Sequence, residues 1–403
     1  MGRPIGAVLV RDDQSEETFD DPNSALEQGE SGRISYEFAY APSLVPPEGA
    51  PVTSMWRYAD LLPLEPGPIR YPLSVGGTPL IASPGLRSHL NLPELWVKDE
   101  TRTPTGSNKD RATALVLETV MRTGSTAVTC ASTGNVAVSL AVGAAAAGKR
   151  AFIFVPDDVA ESKLTLMLLA GATVFRVREG YDAAFKLSRR AAKEFGWHDR
   201  NTGYNPMTLD AKKTVALEIW EQLGREVPDV VVCPVGDGPT LSAIAKGFNE
   251  LVACGVSGRI PRIVGVQAEG AQPLKRAWES GTALEPVIPH TIADGIAVGD
   301  PVSAGMVLRD VKRSSGTFVA VSDDDLRTAM GTLASRGGIL AEPAGAAAWA
   351  GLERAVEQSA VGRDERVVVM VTGTAMKNMG GVRPAKAAIT ISAELSAVEP
   401  HVT

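Results

Sequence analysis

Cysteine is scarce in this chain of 403 residues: Cys130, Cys233 and Cys254 stand far apart. So few, so scattered, they can build neither a disulfide framework nor a zinc site, and they fit a reducing compartment. The four histidines, His89, His198, His290 and His401, lack ligand spacing, so no metal site is expected. Positive charge is not in excess either. Lys and Arg total 40 against 47 Asp and Glu, a net charge of −7 with no long basic block, which argues against nucleic acid or an anionic membrane as partner. The most apolar stretch, Val136 to Gly148, is shorter than the roughly 20 residues a membrane span needs. The opening MGRPIGAVLVRDDQSEE turns acidic too soon for a signal or transit peptide, so a soluble cytoplasmic protein is expected. G-x-S-x-G, H-E-x-x-H and paired-cysteine motifs are missing, as is any repeat of solenoid length.

What is present is ordinary globular composition, 44% hydrophobic and 22% charged, in a chain long enough for two or three domains. Residues 11–34 are rich in Asp, Glu, Ser and Gly and offer little to bury, which predicts a solvated, partly ordered arm. Recurrent prolines between Ala41 and Pro79 predict an extended segment lying on the body. From Leu95 onward short apolar runs alternate with helix-like segments. Strands are predicted at 95–100, 125–132, 151–156, 173–178, 229–235, 262–270 and 317–322, and in ERVVVMVTG. Helices are predicted at 108–122, 134–147, 160–170, 181–194, 209–224 and 240–253, and after Ser322, where Asp323 is the expected cap. Near-continuous Val, Ile and Phe in the strands means parallel sheet covered on both faces. The irregular NTGYNP (201–206) marks a break between two such layer systems.

In open parallel sheets ligands bind where a strand end turns into a helix N-terminus. Gly143 to Lys149 imitates a phosphate loop, but Arg150 replaces the needed Ser or Thr and the order is helix to strand, so a tight turn is the better reading. In PTGSNKDRA, Lys109 opens a helix. The field there disfavours a cation and lowers an amine's pKa, which suits a Schiff-base or basic lysine; the alternative is a surface lysine paired with Asp110. In ASTGNVA, Ser132, Thr133, Gly134 and Asn135 make a cradle for a carboxylate, or simply a helix cap. After VVVCPV, the turn Gly236-Asp237-Gly238-Pro239-Thr240 opens a helix as a phosphate-holding turn does, although Asp237 repels an anion unless it points away. Glu342, ahead of an Ala-rich helix, reads as a cap or a sheet-edge residue.

A lysine, a carboxylate cradle and a phosphate turn, each at a strand end, are the parts a pyridoxal phosphate site requires. The chain resembles the threonine synthase branch of the fold-type II pyridoxal phosphate enzymes from about Tyr36 to Lys377. The resemblance runs in order through SMWRY, GGTPLI, KDE-x3-PTGSNKDR, ASTGN, NP-x6-KT, PVGDG, VGVQAEGA, TIADGIAVGDP, AEPAGAAA and VTGTAMK. It implies an α/β fold of two doubly wound domains with open, mostly parallel sheets and an N-terminal arm. The implied division is an arm at 1–54, a large cofactor-binding domain at 55–95 and 206–392, a small mobile domain at 96–205, and a C-terminal tail at 393–403.

The same resemblance implies pyridoxal 5'-phosphate as cofactor, bound as an aldimine to Lys109, which is also the acid–base at Cα and Cβ. Asn135 is implied to hold the cofactor's phenolic oxygen, Gly236, Asp237, Gly238, Pro239 and Thr240 its phosphate, and Thr372 its pyridine nitrogen. A hydroxyl at Thr372 leaves that nitrogen largely unprotonated, which favours elimination and replacement over transamination. Ser132, Thr133, Gly134, Asn108 and Thr208 are the implied substrate contacts, and the partners are a small amino acid and a second copy in a homodimer.

The sequence departs from the family at positions several of which lie where threonine synthases meet the substrate's phosphate. The family's Arg in N-P-x-R-L is Thr208 here. The Thr after S-T-G-N is Val136, the aromatic before the lysine is Asn108, and the Arg of A-I-R-I-G-N-P is Ala297. The expected function is therefore a lyase-type β/γ-elimination and replacement through a quinonoid, on an activated α-amino acid other than O-phosphohomoserine. The alternatives are a genuine threonine synthase and a non-catalytic binding protein.

Overall fold

The computed structural model describes residues 3–157, 159 and 161–377. The expected tail at 393–403, and the end of the expected large domain after 377, lie outside the described residues. The chain begins with β1 (Gly6–Val10), β2 (Glu16–Phe19), α1 (Pro22–Glu27) and β3 (Arg33–Glu37). After an irregular stretch come β4 (Leu80–Ile81), α2 (Pro84–Leu90), β5 (Leu95–Asp99) and α3 (Lys109–Thr123). Then follow β6 (Ala127–Ala131), α4 (Asn135–Ala146), β7 (Arg150–Pro156), α5 (Glu161–Leu169), β8 (Thr173–Val177), α6 (Tyr181–Phe195) and β9 (His198–Asp199). The remainder is α7 (Met207–Gln222), β10 (Val230–Pro234), α8 (Pro239–Ala253), β11 (Arg262–Ala268), α9 (Pro273–Ser280), α10 (Ala304–Arg313), β12 (Thr317–Val321), α11 (Asp323–Gly337), α12 (Pro343–Glu357) and β13 (Val367–Val371).

Every strand and helix predicted after Leu95 is present. The larger sheet has six strands in the order β12-β11-β10-β13-β5-β4, parallel except for β4. Alternation within its buried strands sorts the core: Val230 and Val232 pack with α11 and α12 on one face, Val231 and Cys233 with α7 and α8 on the other. A second, parallel sheet of four strands runs β8-β7-β6-β9. In the large sheet the chain leaves β10 toward β11 and β12, then returns to its other side as β13. In the small sheet it leaves β6 toward β7 and β8 and returns as β9. Both crevices are therefore at strand-order reversals, where an open α/β sheet offers a binding site.

Three expectations need correction. The polar segment 11–34 is not a solvated arm. It completes an antiparallel sheet, β2-β1-β3, around Ala7, Leu9, Ala25, Ile34, Tyr36 and Phe38. A small sheet with one solvated face needs few apolar residues, so low hydrophobicity did not mean disorder. That sheet is tied down by Glu16 to Arg309 and Arg313, by Arg189 to Glu30, and by Arg33 Nε donating to Val302 O. The domain boundary expected at residue 96 cuts through β5, which belongs to the large sheet beside β13. Finally, α11 is capped by Ser322, whose hydroxyl accepts from Asp325 N in a capping box. Asp323 turns away to accept from Thr291 Oγ1 at 2.6 Å. Among the described residues no helix is long and apolar enough to cross a membrane.

Candidate active site

The strands β10, β13 and β5 are parallel neighbours, so their carboxyl ends share one edge of the large sheet. The turns leaving them carry Gly236 to Thr240, Thr372 and Lys109, and β6 of the second sheet delivers Ser132 to Asn135. A cleft of about 1120 Å³ lies between them. Its walls include Lys109, Ser132, Thr133, Gly134, Asn135, Gly236, Asp237, Gly238, Pro239, Thr240 and Thr372. Asn108 joins them by donating from Nδ2 to Thr240 Oγ1 at 3.2 Å. Thr208 does not. It is buried within α7, away from the cleft lining, and its hydroxyl has no partner among the described residues. A threonine is shorter than the arginine the family carries at this position, and Thr208 is not on the cleft wall where the substrate contact is expected.

Lys109 is the first residue of α3, and Asn108 Oδ1 accepts from its Nζ at 2.8 Å. The surface ion pair with Asp110 does not form. Asp110 instead accepts from Thr105 N at 2.7 Å and Thr105 Oγ1 at 2.6 Å, shaping the turn. Burial lowers the Lys109 amine to about 8, Glu342 opposing and Arg200 and Lys377 assisting. The lysine's turn is fixed by a short ladder: Asn108 N donates to Thr372 O at 3.0 Å and Thr374 N to Gly106 O at 2.8 Å. Gly106, at φ +70°, is needed there, since a Cβ would lie 2.4 Å from Thr374 Cγ2.

The cradle of Ser132 to Gly134 is not an ordinary cap. Gly134 is the N-cap of α4 with no side-chain hydrogen bond, and Ser132 Oγ accepts from Gly134 N at 3.2 Å. Asn135 is held by two groups that the sequence did not assign to it. Its Nδ2 donates to Glu342 Oε1 at 2.7 Å, and its Oδ1 accepts from Lys377 Nζ at 2.5 Å. Burial raises the Glu342 carboxyl and lowers the Lys377 amine. Glu342 stands at the N-cap position of α12 but its side chain makes no capping bond, which corrects the first of its two readings; its N donates to Gly373 O at 3.0 Å, just past the end of β13. Gly373 makes room for its carboxylate, 2.2 Å from where a Cβ would be. A Glu before Pro-Ala-Gly carries no local signal for this contact; only the fold supplies Asn135.

In the turn after β10, Gly238 adopts φ +102° and a Cβ would meet Val307 Cγ2 at 2.2 Å, so glycine is required. The turn ends on the N-terminus of the fifteen-residue α8, where free N–H groups favour an anion. Asp237 Oδ1 accepts from Val302 N at 2.9 Å, and burial raises this carboxyl to about 6. The donor set suits a phosphorylated aldehyde: an amine of lowered pKa between an anion-binding helix end and a rigidly oriented amide. Among the described residues no cluster of metal-ligating side chains is found.

Comparison with known proteins agrees with this geometry. The family model "Pyridoxal-phosphate dependent enzyme" matches residues 71–373. The chain is 36% identical over 351 residues to the threonine synthase of Methanocaldococcus jannaschii, covering 86% of each. It is 35% identical over 336 residues to that of Mycobacterium tuberculosis, covering 81% of this chain and 91% of the other. Among solved structures, diaminopropionate ammonia lyase from Escherichia coli superposes with TM-score 0.64 at 20% identity, over 75% of this chain and 85% of that one. Maize serine racemase gives 0.62 at 23% identity, over 73% and 87%.

Proposed function

The chain belongs to the pyridoxal-phosphate dependent enzyme family, with the fold-type II architecture, and from that premise we propose that it catalyses β/γ-elimination and replacement on an activated α-amino acid other than O-phosphohomoserine. One observation supports the proposal: Lys109, of lowered pKa, lines one cleft with the Ser132–Asn135 turn and the Gly236–Thr240 turn. When bound, pyridoxal phosphate supplies an electron sink for negative charge at the substrate's Cα. Lys109 Nζ then takes and returns protons at Cα and Cβ. The turn Ser132 to Gly134 binds the substrate carboxylate, Gly236 to Thr240 the cofactor phosphate, and Thr372 faces the pyridine nitrogen. Asn135, oriented by Glu342 and Lys377, presents its remaining N–H to the phenolic oxygen. In this reading the four-stranded sheet moves with substrate to exclude water, and the enzyme works as a homodimer.

Substrate choice is argued from what lines the cleft. Val136 and Ala297 are on its wall, and neither side chain has a donor. Thr208 lies off it. A desolvated phosphomonoester carries about −1.5 to −2 charges and needs charge-assisted donors, each worth ~1.5–3 kcal/mol. The second reading, conversion of O-phosphohomoserine to threonine, is favoured by the identity of 36% to a threonine synthase. A non-catalytic binding protein has no use for Lys109 in this setting. A panel of O-phospho-, O-acetyl- and O-succinyl-homoserine with the matching serine esters separates these readings. Slow or undetectable phosphate release from O-phosphohomoserine is expected beside a threonine synthase control; release at the control's rate establishes the second reading.

A further inference from the structure

Lys212 is left without a task by the roles above. It leaves the middle of α7 and is only 2% exposed, yet it lines the cleft. Among the described residues it makes no hydrogen bond and no ion pair. Its neighbour Lys213, equally buried, has Asp210 Oδ1 at 2.7 Å and Glu250 Oε1 at 2.8 Å. Burial, with Lys109 and Arg200 nearby, lowers the Lys212 amine well below its ordinary value, so its ammonium form needs an anion from outside the chain.

Its surroundings say where that anion sits. Lys212 and Lys109 both feel Arg200 and Cys233; beyond these, Lys212 feels Asp237, whereas Lys109 feels Glu342 and Lys377. Asp237 lies in the turn after β10, so Lys212 stands on the phosphate-turn side of Lys109, away from Asn135 and its two holders. The packing explains the placement: α7 lies against α8 so closely that a Cβ on Gly247 would be 2.6 Å from Lys213 O. The turn itself offers backbone N–H groups and the Thr240 hydroxyl, and it also carries the Asp237 carboxylate. A phosphate placed there gains neutral donors but meets a like charge, and the unpaired amine lining the same cleft is Lys212, whose protonated form an anion would favour.

We propose that Lys212 is the charged partner of the cofactor's phosphate monoester at the Gly236–Thr240 turn. The proposal rests on the reading above that puts that phosphate at this turn. A phosphorylated substrate offers the same oxyanion chemistry, so the experiment separates the two sources. Wild-type protein, Lys212→Met and Lys212→Arg are stripped of cofactor and titrated with pyridoxal phosphate and with pyridoxal, following the absorbance of the Lys109 adduct. The phosphorus NMR spectrum of each holoprotein is recorded against pH.

Lys212→Met is expected to weaken pyridoxal phosphate about 10- to 100-fold, leave pyridoxal within about twofold, and move the phosphorus resonance. Lys212→Arg is expected to restore most of the phosphate preference. Where Lys212→Met does not fold, Lys212→Gln serves the same comparison. An equal loss for both compounds overturns the proposal in favour of a packing role. Unchanged pyridoxal phosphate affinity with an unmoved resonance overturns it outright, and unchanged affinity with a loss confined to O-phosphohomoserine assigns Lys212 to the substrate. A wild-type protein that forms no adduct with either compound overturns the functional reading along with this one.

Discussion

Helix α7 separates two treatments of buried charge. Toward the large sheet, Lys98, Glu100, Arg111 and Glu218 are all fully buried and all paired. Glu218 receives Lys98 Nζ at 2.7 Å and Arg111 Nη1 at 2.6 Å, and Thr78 and Thr214 fill further positions. This network joins β5, α3 and α7, and so fixes the helix that carries Lys109. Toward the cleft, among the described residues, Lys212 has no counter-charge in contact and Lys109 has only the Asn108 amide as acceptor. Both regions are ionic and secluded. Charges that satisfy one another hold a fold together; charges left waiting show where something is to be bound.

The sharpest way to break this comparison is at Lys109. Lys109→Ala should abolish turnover and the near-visible band of the cofactor while the melting temperature stays near that of wild type. Borohydride should fix the cofactor on the peptide containing Asn108-Lys109-Asp110; label on another lysine refutes the assignment. On the paired side, Glu218→Ala leaves Lys98 and Arg111 uncompensated and should destabilise the fold by about 3–5 kcal/mol, read by urea denaturation. A loss below about 1 kcal/mol would mean the network does not hold the fold.

A third test uses pH. Burial alone would raise the Glu218 carboxyl, but Arg111 and Lys98 outweigh it and hold the group at about 2, against an ordinary 4.5. Because the folded-state value is the lower one, the stabilisation is complete above about pH 4.5 and is lost as pH falls toward 2. Melting curves across that range should steepen toward acid in wild type and flatten in Glu218→Gln. Asp237 has the opposite sign: burial raises it to about 6, so its ionisation above the ordinary 3.8 works against the fold.

The smallest expected effects are spectroscopic. Thr372→Asp places an anion near the pyridine nitrogen and should protonate it, giving new long-wavelength absorbance or transamination side products. Unchanged spectra and products would show that Thr372 does not face the ring. In wild type, adduct formation should quicken as pH rises through about 8, where Lys109 loses its proton. A flat profile would contradict the lowered pKa.

The sequence disclosed the parallel α/β layers because buried strands such as VVVCP and VVVMV leave a one-dimensional trace. It disclosed the three turns because Gly, Lys and Asn at strand ends have local meaning. It could not disclose Glu342 against Asn135, nor the unpaired Lys212 beside the fully paired Lys213, because these depend on which distant segments meet. In sequence the two lysines are interchangeable. Thr208 failed as a site residue for a related reason: a motif position carries over, but the reach of its side chain does not. The sheet of β1, β2 and β3 was hidden by composition, its apolar residues being few and spread along polar chain from Ala7 to Phe38.

The ladder between Gly106–Asn108 and Thr372–Thr374 bears on how the protein breathes. It hangs the lysine's turn from the end of β13, a central strand of the large sheet. To free the Asn108 amide, the chain must open the edge of its most stable layer. That proton should therefore exchange with solvent only through sub-global or global unfolding. Lys109 and Thr372 thus belong to one cooperative unit, and their separation is insulated from every lesser fluctuation of the molecule.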